Sequence, residues 1–152
     1  MRKNGFTLIE LTIVILIISI ISIYASMRWP QGMELDAQTE KLASDIRLVQ
    51  SLAMNRHQRF RINLTATQYQ LFDGNNNPLP HPASNNAIIP LEPGVTLTTT
   101  NANIIFNSEG VPYTGAFPGI LLAANNTITL TDSNGVNRQI ITTPETGNTN
   151  VQ

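Results

Sequence analysis

From Phe6 to Ala25 the chain reads FTLIELTIVILIISIISIYA, an apolar run interrupted by one acid, Glu10. About 20 helical residues rise roughly 30 Å, the thickness of a bilayer's hydrocarbon core, so the run predicts a membrane-spanning helix. Arg2 and Lys3 stand ahead of it. Basic residues are held on the cytoplasmic side, which predicts an N-terminus kept inside and the remainder translocated. A secretory signal peptide and a plain membrane anchor would also join a basic start to an apolar run. The run is longer than the roughly 7–15 residues of a signal-peptide core, and Ala25-Ser26 is a poor substitute for a cleavage site. Glu10 suits neither reading. An acidic residue at mid-membrane costs about 2.5–3.5 kcal/mol on insertion scales and ordinarily has a partner and a task, yet no basic residue lies within the run.

Beyond Arg28-Trp29-Pro30-Gln31-Gly32, a kink or short break, Leu35, Thr39, Leu42, Ile46, Val49 and Ala53 recur at spacings of four and three. That is one face of a helix. Glu34, Asp36, Glu40, Lys41, Asp45 and Arg47 fall opposite, so this second helical half is amphipathic and should cradle a β-sheet. After Asn55 the period becomes two: Phe60, Ile62 and Leu64 alternate with Arg59, Arg61 and Asn63, and Tyr69 and Leu71 follow. Such alternation reads as strand. The turn 73–78 closes that pair, and a proline-rich loop, Pro78 to Pro93, leads to strand candidates at 95–99, 104–107, 120–122, 127–131 and 136–142. Asn134-Gly135 marks a hairpin between the last two. Thr143 to Gln152 is polar, carries Pro144 and Gly147, and reads as a mobile or partly draped tail.

The remaining composition narrows the function. Of the 152 residues, those beyond the apolar run suffice for one head with a single core. A formal net charge of -1 argues for neither a polyanion-binding surface nor an acidic tail. The absence of cysteine excludes disulfides, thiol catalysis and Cys-ligated zinc.

Gly5-Phe6-Thr7-Leu8-Ile9-Glu10-Leu11 resembles the class III signal of type IV prepilins and pseudopilins. The resemblance implies that a prepilin peptidase and methyltransferase cuts between Gly5 and Phe6 and methylates the new amino group of Phe6. Residue chemistry agrees: Gly5 has no Cβ to obstruct a protease, and cleavage creates a cation at Phe6 that can neutralise a neighbouring subunit's Glu10. Glu10 is then the residue expected to set register during assembly. The family often has a proline near the end of the apolar half; here Ser19, Ser22 and Ser26 occupy that stretch and the first proline is Pro30.

Three further phrases, Leu42–Ala53 with Arg56 following, Ile105–Gly110, and the closing hairpin followed by Thr146-Gly147, resemble the GspH/FimT family of minor pilins and type II secretion pseudopilins. The implied fold is α+β and pilin-like, a long N-terminal helix with an apolar transmembrane half and an amphipathic half packed on an antiparallel β-sheet head. The implied organisation is a leader at 1–5, a transmembrane and filament-core helix at 6–29, an amphipathic helix at 30–56, a β-rich periplasmic head at 57–142 and a polar tail at 143–152. A minor subunit of this kind primes assembly of a type II secretion pseudopilus or a type IV pilus. Its partners are other minor and major pilins or pseudopilins and an inner-membrane assembly platform. It begins as a single-pass protein of the bacterial inner membrane, N-terminus cytoplasmic and head periplasmic.

The alternative is a DNA-binding or adhesive pilus-tip subunit on the same scaffold. Some family members bind DNA through an arginine-bearing motif around the C-terminal glycine, but here Gly147 is followed by Asn148-Thr149-Asn150. The remaining basic cluster is Arg56, His57, Arg59 and Arg61, which also reads as the outward face of a strand and a helix end. Nucleic acid is therefore not expected as a partner. His57 and His81 lack metal-ligand spacing and read as surface polar residues. Asp73-Gly74-Asn75-Asn76-Asn77 begins like a calcium loop, but Pro78 stands where glycine is needed and no glutamate closes it. With no nucleotide-binding or nucleophile motif, the expectation is a non-enzyme with no cofactor and no metal.

Overall fold

The computed structural model describes residues 7–27 and 33–152, in two units that part between Gln31 and Gly32. The proposed cleavage residues Gly5 and Phe6, and the break expected around Trp29 to Gly32, lie outside the described residues. The first unit carries helix α1, Leu8–Met27. The second carries α2, Met33–Arg56, and eleven short strands.

The apolar stripe of α2 is buried as its spacing demands: Leu35, Thr39, Leu42, Ile46, Val49 and Ala53 are all inside. Glu34 and Asp36 in the first turn and Arg56 in the last complement the helix dipole. The helix stops at His57, which adopts a left-handed φ of 51°, while the N–H of Gln58 reaches back to the carbonyl of Ala53 at 3.3 Å. This is a Schellman C-cap made without glycine.

The strands form two antiparallel sheets. β1 (Phe60–Leu64), β2 (Gln68–Phe72), β3 (Pro78–Leu79), β6 (Asn103–Phe106), β7 (Pro112–Thr114) and β8 (Ile120–Leu121) lie in the order β3-β2-β1-β6-β7-β8, with β4 (Ile88–Pro90) also on the outer side of β2. β5 (Thr96–Thr99), β9 (Asn126–Thr131), β10 (Asn137–Thr142) and β11 (Thr149–Val151) make the second, in the order β11-β10-β9-β5. α2 packs on β1 and β6 of the first sheet and on β9, β10 and β11 of the second. The core lies between them, built from the helix stripe with Phe60, Ile62, Tyr69, Leu71, Phe106, Ile128, Leu130 and Ile140 among others.

Three hairpins turn by one device. At Asp73, Asn107 and Asp132 a side-chain Oδ1 accepts the N–H groups two and four residues on, at 2.8 to 3.0 Å. The residue three positions on, Asn76, Gly110 or Gly135, takes a positive φ of 63°, 80° or 82°. Short polar side chains that mimic a backbone acceptor, followed by a residue tolerant of the left-handed region, are what such turns require. Asp73 thus engages a carboxylate oxygen in its turn, and the hydrogen bond from the Asn77 backbone, the largest of several, holds its pKa below the ordinary value.

Two expectations are corrected. The loop from Pro78 to Pro93 contains β3 and β4, both on an outer edge of the sheet, where a proline's missing N–H is tolerated. The tail is not draped loosely: β11 pairs with β10 through Ile140↔Val151, Ile141↔Asn150 and Thr142↔Thr149. Arg47 and Gln50 of α2 hold it. Arg47 donates from Nε and Nη2 to the Thr149 carbonyl at 3.1 and 2.8 Å, and Gln50 Nε2 donates to the carbonyls of Thr146 and Gly110, both at 2.9 Å.

Candidate functional site

The first turn of α1 is a helix start of defined chemistry. The N–H of Glu10 donates to Thr7 Oγ1 at 3.3 Å, and the N–H groups of Glu10 and Leu11 reach the Thr7 carbonyl at 3.1 and 3.2 Å. Thr7 and Glu10 have the spacing of a capping box, so Glu10 occupies the third helical position, where the dipole favours a negative charge. The Thr7–Glu10 spacing is the sequence signal for this helix start. Further along, Thr12 Oγ1 and Ser19 Oγ donate to the Leu8 and Ile15 carbonyls, both at 2.7 Å. These hydroxyls are satisfied within the helix and ask for no water.

From Leu8 to Ile23 every side chain of α1 is exposed, with Leu8 at 85% and Ile13, Ile17 and Ile20 above half. Glu10 is exposed too, and among the described residues neither the Arg138–Asp36 ion pair nor the His81–Asp45 contact includes it. No helix among the described residues is long and apolar enough to cross a membrane. The apolar run from Phe6 to Ala25 extends past the described side chains at both ends.

Arg56, Arg59 and Arg61 each meet a different aromatic ring and do not converge on one point. Arg56 lies 5.8 Å from the Phe60 ring centroid, Arg59 4.4 Å from that of Tyr113 and Arg61 4.0 Å from that of Phe72. Arg59 also donates from Nη1 to the Pro118 carbonyl. Arg61 Nε is buried without a hydrogen-bond partner, and desolvation lowers the pKa of its guanidinium. The stacking fixes the planes of Arg59 and Arg61 against the outer face of the first sheet.

The sequence reading misplaced a second group. Asp45, counted on the polar face of α2, and His81, read as a surface residue, are both buried, at 6% and 7% exposure. Asp45 Oδ2 accepts the Tyr69 hydroxyl at 2.5 Å, and Oδ1 lies 2.8 Å from His81 Nε2. The N–H of Ala83 donates to His81 Nδ1 at 3.2 Å, which places the proton on Nε2 and makes it the donor to Asp45. Burial first, then the hydrogen bond and charge of Asp45, push the Tyr69 phenol above its ordinary pKa. Both ring nitrogens and both carboxylate oxygens are thereby engaged, tying the 78–93 segment to α2. No group of ligand residues able to hold a metal occurs among the described residues.

Comparison with known proteins adds three findings. The family described as type II transport protein GspH matches residues 38–147, and the prokaryotic N-terminal methylation motif matches residues 1–26. Among solved structures, the chain is similar to the type IV minor pilin FimU of Pseudomonas aeruginosa, at 13% identity and a TM-score of 0.56 over 78% of this chain and 88% of that one. It is similar as well to the minor pseudopilin EpsH of the type 2 secretion system of Vibrio cholerae, at 10% identity and a TM-score of 0.59 over 78% of this chain and 96% of that one. At such identities the likeness is one of fold. No curated protein sequence matches the chain.

Proposed function

Since the chain belongs to the GspH family of type II transport proteins, we propose that it is a minor pilin or pseudopilin, a structural subunit that helps prime assembly of a type II secretion pseudopilus or type IV pilus. The observation that carries this reading is α1: a helix with apolar side chains exposed on all sides, the Thr12 and Ser19 hydroxyls satisfied internally, and one carboxylate, Glu10, without a cation among the described residues. Such a surface needs lipid first and other apolar helices later. In the precursor the helix anchors the chain in the inner membrane, with the head on the periplasmic side. A prepilin peptidase removes residues 1–5, and the methylated amino group of Phe6 supplies the cation for Glu10 of a neighbouring subunit. A buried carboxylate is tolerable when paired in this way, and the pairing sets axial register.

The test is intact mass and N-terminal sequencing of membrane-extracted protein, made with and without the peptidase, for the wild type and Glu10→Ala. A wild-type chain beginning at N-methylated Phe6 and a variant that is cleaved but incorporated at least tenfold less into filaments is the expected result. Retention of Met1 to Gly5, cleavage near Ala25, or normal incorporation of Glu10→Ala would overturn the reading.

A further inference from the structure

Across the outer face of the first sheet, paired residues line up as Phe72, Arg61, Ile105, Tyr113 and Leu121. At the middle of this row Ile105 is fully buried. Gly119 covers it so closely that a Cβ there would lie 2.8 Å from Ile105 Cδ1 and 3.0 Å from Tyr113 Cβ. The row ends at β8, the terminal strand of the sheet, and here the cover stops: Ile120 is 72% and Leu121 55% exposed. The surrounding segment 115–124, GAFPGILLAA, has no charged residue.

β8 also offers backbone. Leu122 N–H donates to the Pro112 carbonyl at 3.0 Å, so the alternation of an antiparallel ladder turns the N–H and C=O of Leu121 away from β7. Proteins usually blunt such an edge with charge, with proline or by keeping it short. Pro78 and Pro90 supply proline at the opposite edge, whereas β8 is short, at two residues, but carries neither a charge nor a proline, only Ile120 and Leu121. At one end of the strand stands a cation, the Arg59 guanidinium, stacked on Tyr113 and bonded to the Pro118 carbonyl. It makes no ion pair among the described residues.

We propose that the free edge of β8 is a docking site for an extended segment of a partner protein, which adds as a further strand with apolar side chains against Ile120 and Leu121 and a carboxylate against Arg59. The open N–H and C=O provide the strand-addition contacts, and Arg59 provides charge complementarity. A nucleic acid fits less well, because one cation beside an apolar strand edge offers phosphates little. The site is built from residues of the second unit alone, so the proposal holds whether or not Gly5 is a cleavage point.

The test uses the isotope-labelled full chain in detergent micelles, titrated with the synthetic peptide acetyl-TVEVT-amide, with the same peptide bearing Gln for Glu, and with a short DNA duplex. Amide and Arg59 Nε resonances are followed by NMR. Shifts confined to Arg59 and residues 119–122, with binding about threefold to tenfold weaker for the Gln peptide, are expected. Leu121→Pro removes the outward donor together with the leucine side chain and should abolish binding. Leu121→Lys and Arg59→Gln repeat the test should the proline variant not fold, each weakening binding at least threefold. Absent or scattered shifts, equal binding of the two peptides, unchanged binding by these variants, or shifts of these resonances by DNA but not peptide would overturn the proposal.

Discussion

Replacing Asp45 by Ala tests the buried cluster that ties the 78–93 segment to α2. The carboxylate accepts the Tyr69 hydroxyl at 2.5 Å and the His81 Nε2–H at 2.8 Å, and all three residues are at most 7% exposed. A hydrogen bond to a charged group contributes about 1.5–3 kcal/mol, and its loss strands a buried donor. Two such losses give about 3–5 kcal/mol, in line with removal of one member of a buried polar pair. Against a total stability of roughly 5–15 kcal/mol this is a large share, equivalent to a melting-temperature drop of about 10–20 °C for a head of this size. Asp45→Asn keeps the volume and one acceptor and should lose about half as much. Tyr69→Phe combined with Asp45→Ala completes a cycle in which the two changes should fall short of additivity by about 1 kcal/mol or more. The assay is thermal and denaturant unfolding of the full chain in detergent micelles, followed by the circular dichroism of the β-sheets. A loss below about 1 kcal/mol for Asp45→Ala, or strict additivity in the cycle, would refute the reasoning.

The same tyrosine predicts a pH dependence. Its folded-state pKa is raised, chiefly by burial, so its contribution is fully present below the unfolded value of about 10 and declines as pH rises above it, by up to about 1.4 kcal/mol per pH unit. Unfolding midpoints measured from pH 8 to 11 should fall at the alkaline end, and in Tyr69→Phe that part of the fall should vanish. Gly147→Ala should cost about 2–4 kcal/mol: φ is 64°, and the new Cβ would meet Gln50 Nε2 and the Gly110 carbonyl, both at 2.7 Å, and Phe106 at 2.8 Å. Hydrogen exchange should then show β11 unprotected while α2 and β1 stay protected; equal loss throughout the head would count against a local latch.

Much of the architecture was legible because it rests on short-range periodicity. The burial of Leu35, Leu42, Ile46, Val49 and Ala53 along α2, and the in-and-out alternation of β1 from Phe60 to Leu64, repeat the apolar patterns of the sequence. The hairpin at Asn134-Gly135 follows from turn chemistry that operates over five residues. Where polar residues found distant partners, local pattern failed. Asp45 and His81 are 36 positions apart, and nothing in either neighbourhood announced that they meet. Arg47 and Thr149 are 102 apart, so the tail seemed free until α2 supplied donors for its carbonyls. β7 and β11, three residues each, are too short to show a period at all.

The candidate sites divide the same way. The processing and assembly reading of Gly5, Phe6 and Glu10 came wholly from consecutive residues, since a protease and a membrane read a linear stretch. The cluster of Arg56, Arg59 and Arg61 was visible as composition, but the stacking of Arg61 on Phe72 and of Arg59 on Tyr113 required β2 to lie beside β1 and β7 one strand beyond it, across β6. By itself the sequence determined the apolar α1, the amphipathic α2 and the alternating strands, because hydrophobic periodicity is a property of neighbours in the chain. Only the tertiary structure decided which polar groups are buried in pairs, how the tail is held and where a sheet ends in an open edge, because those depend on the sheet order that brings remote segments into contact.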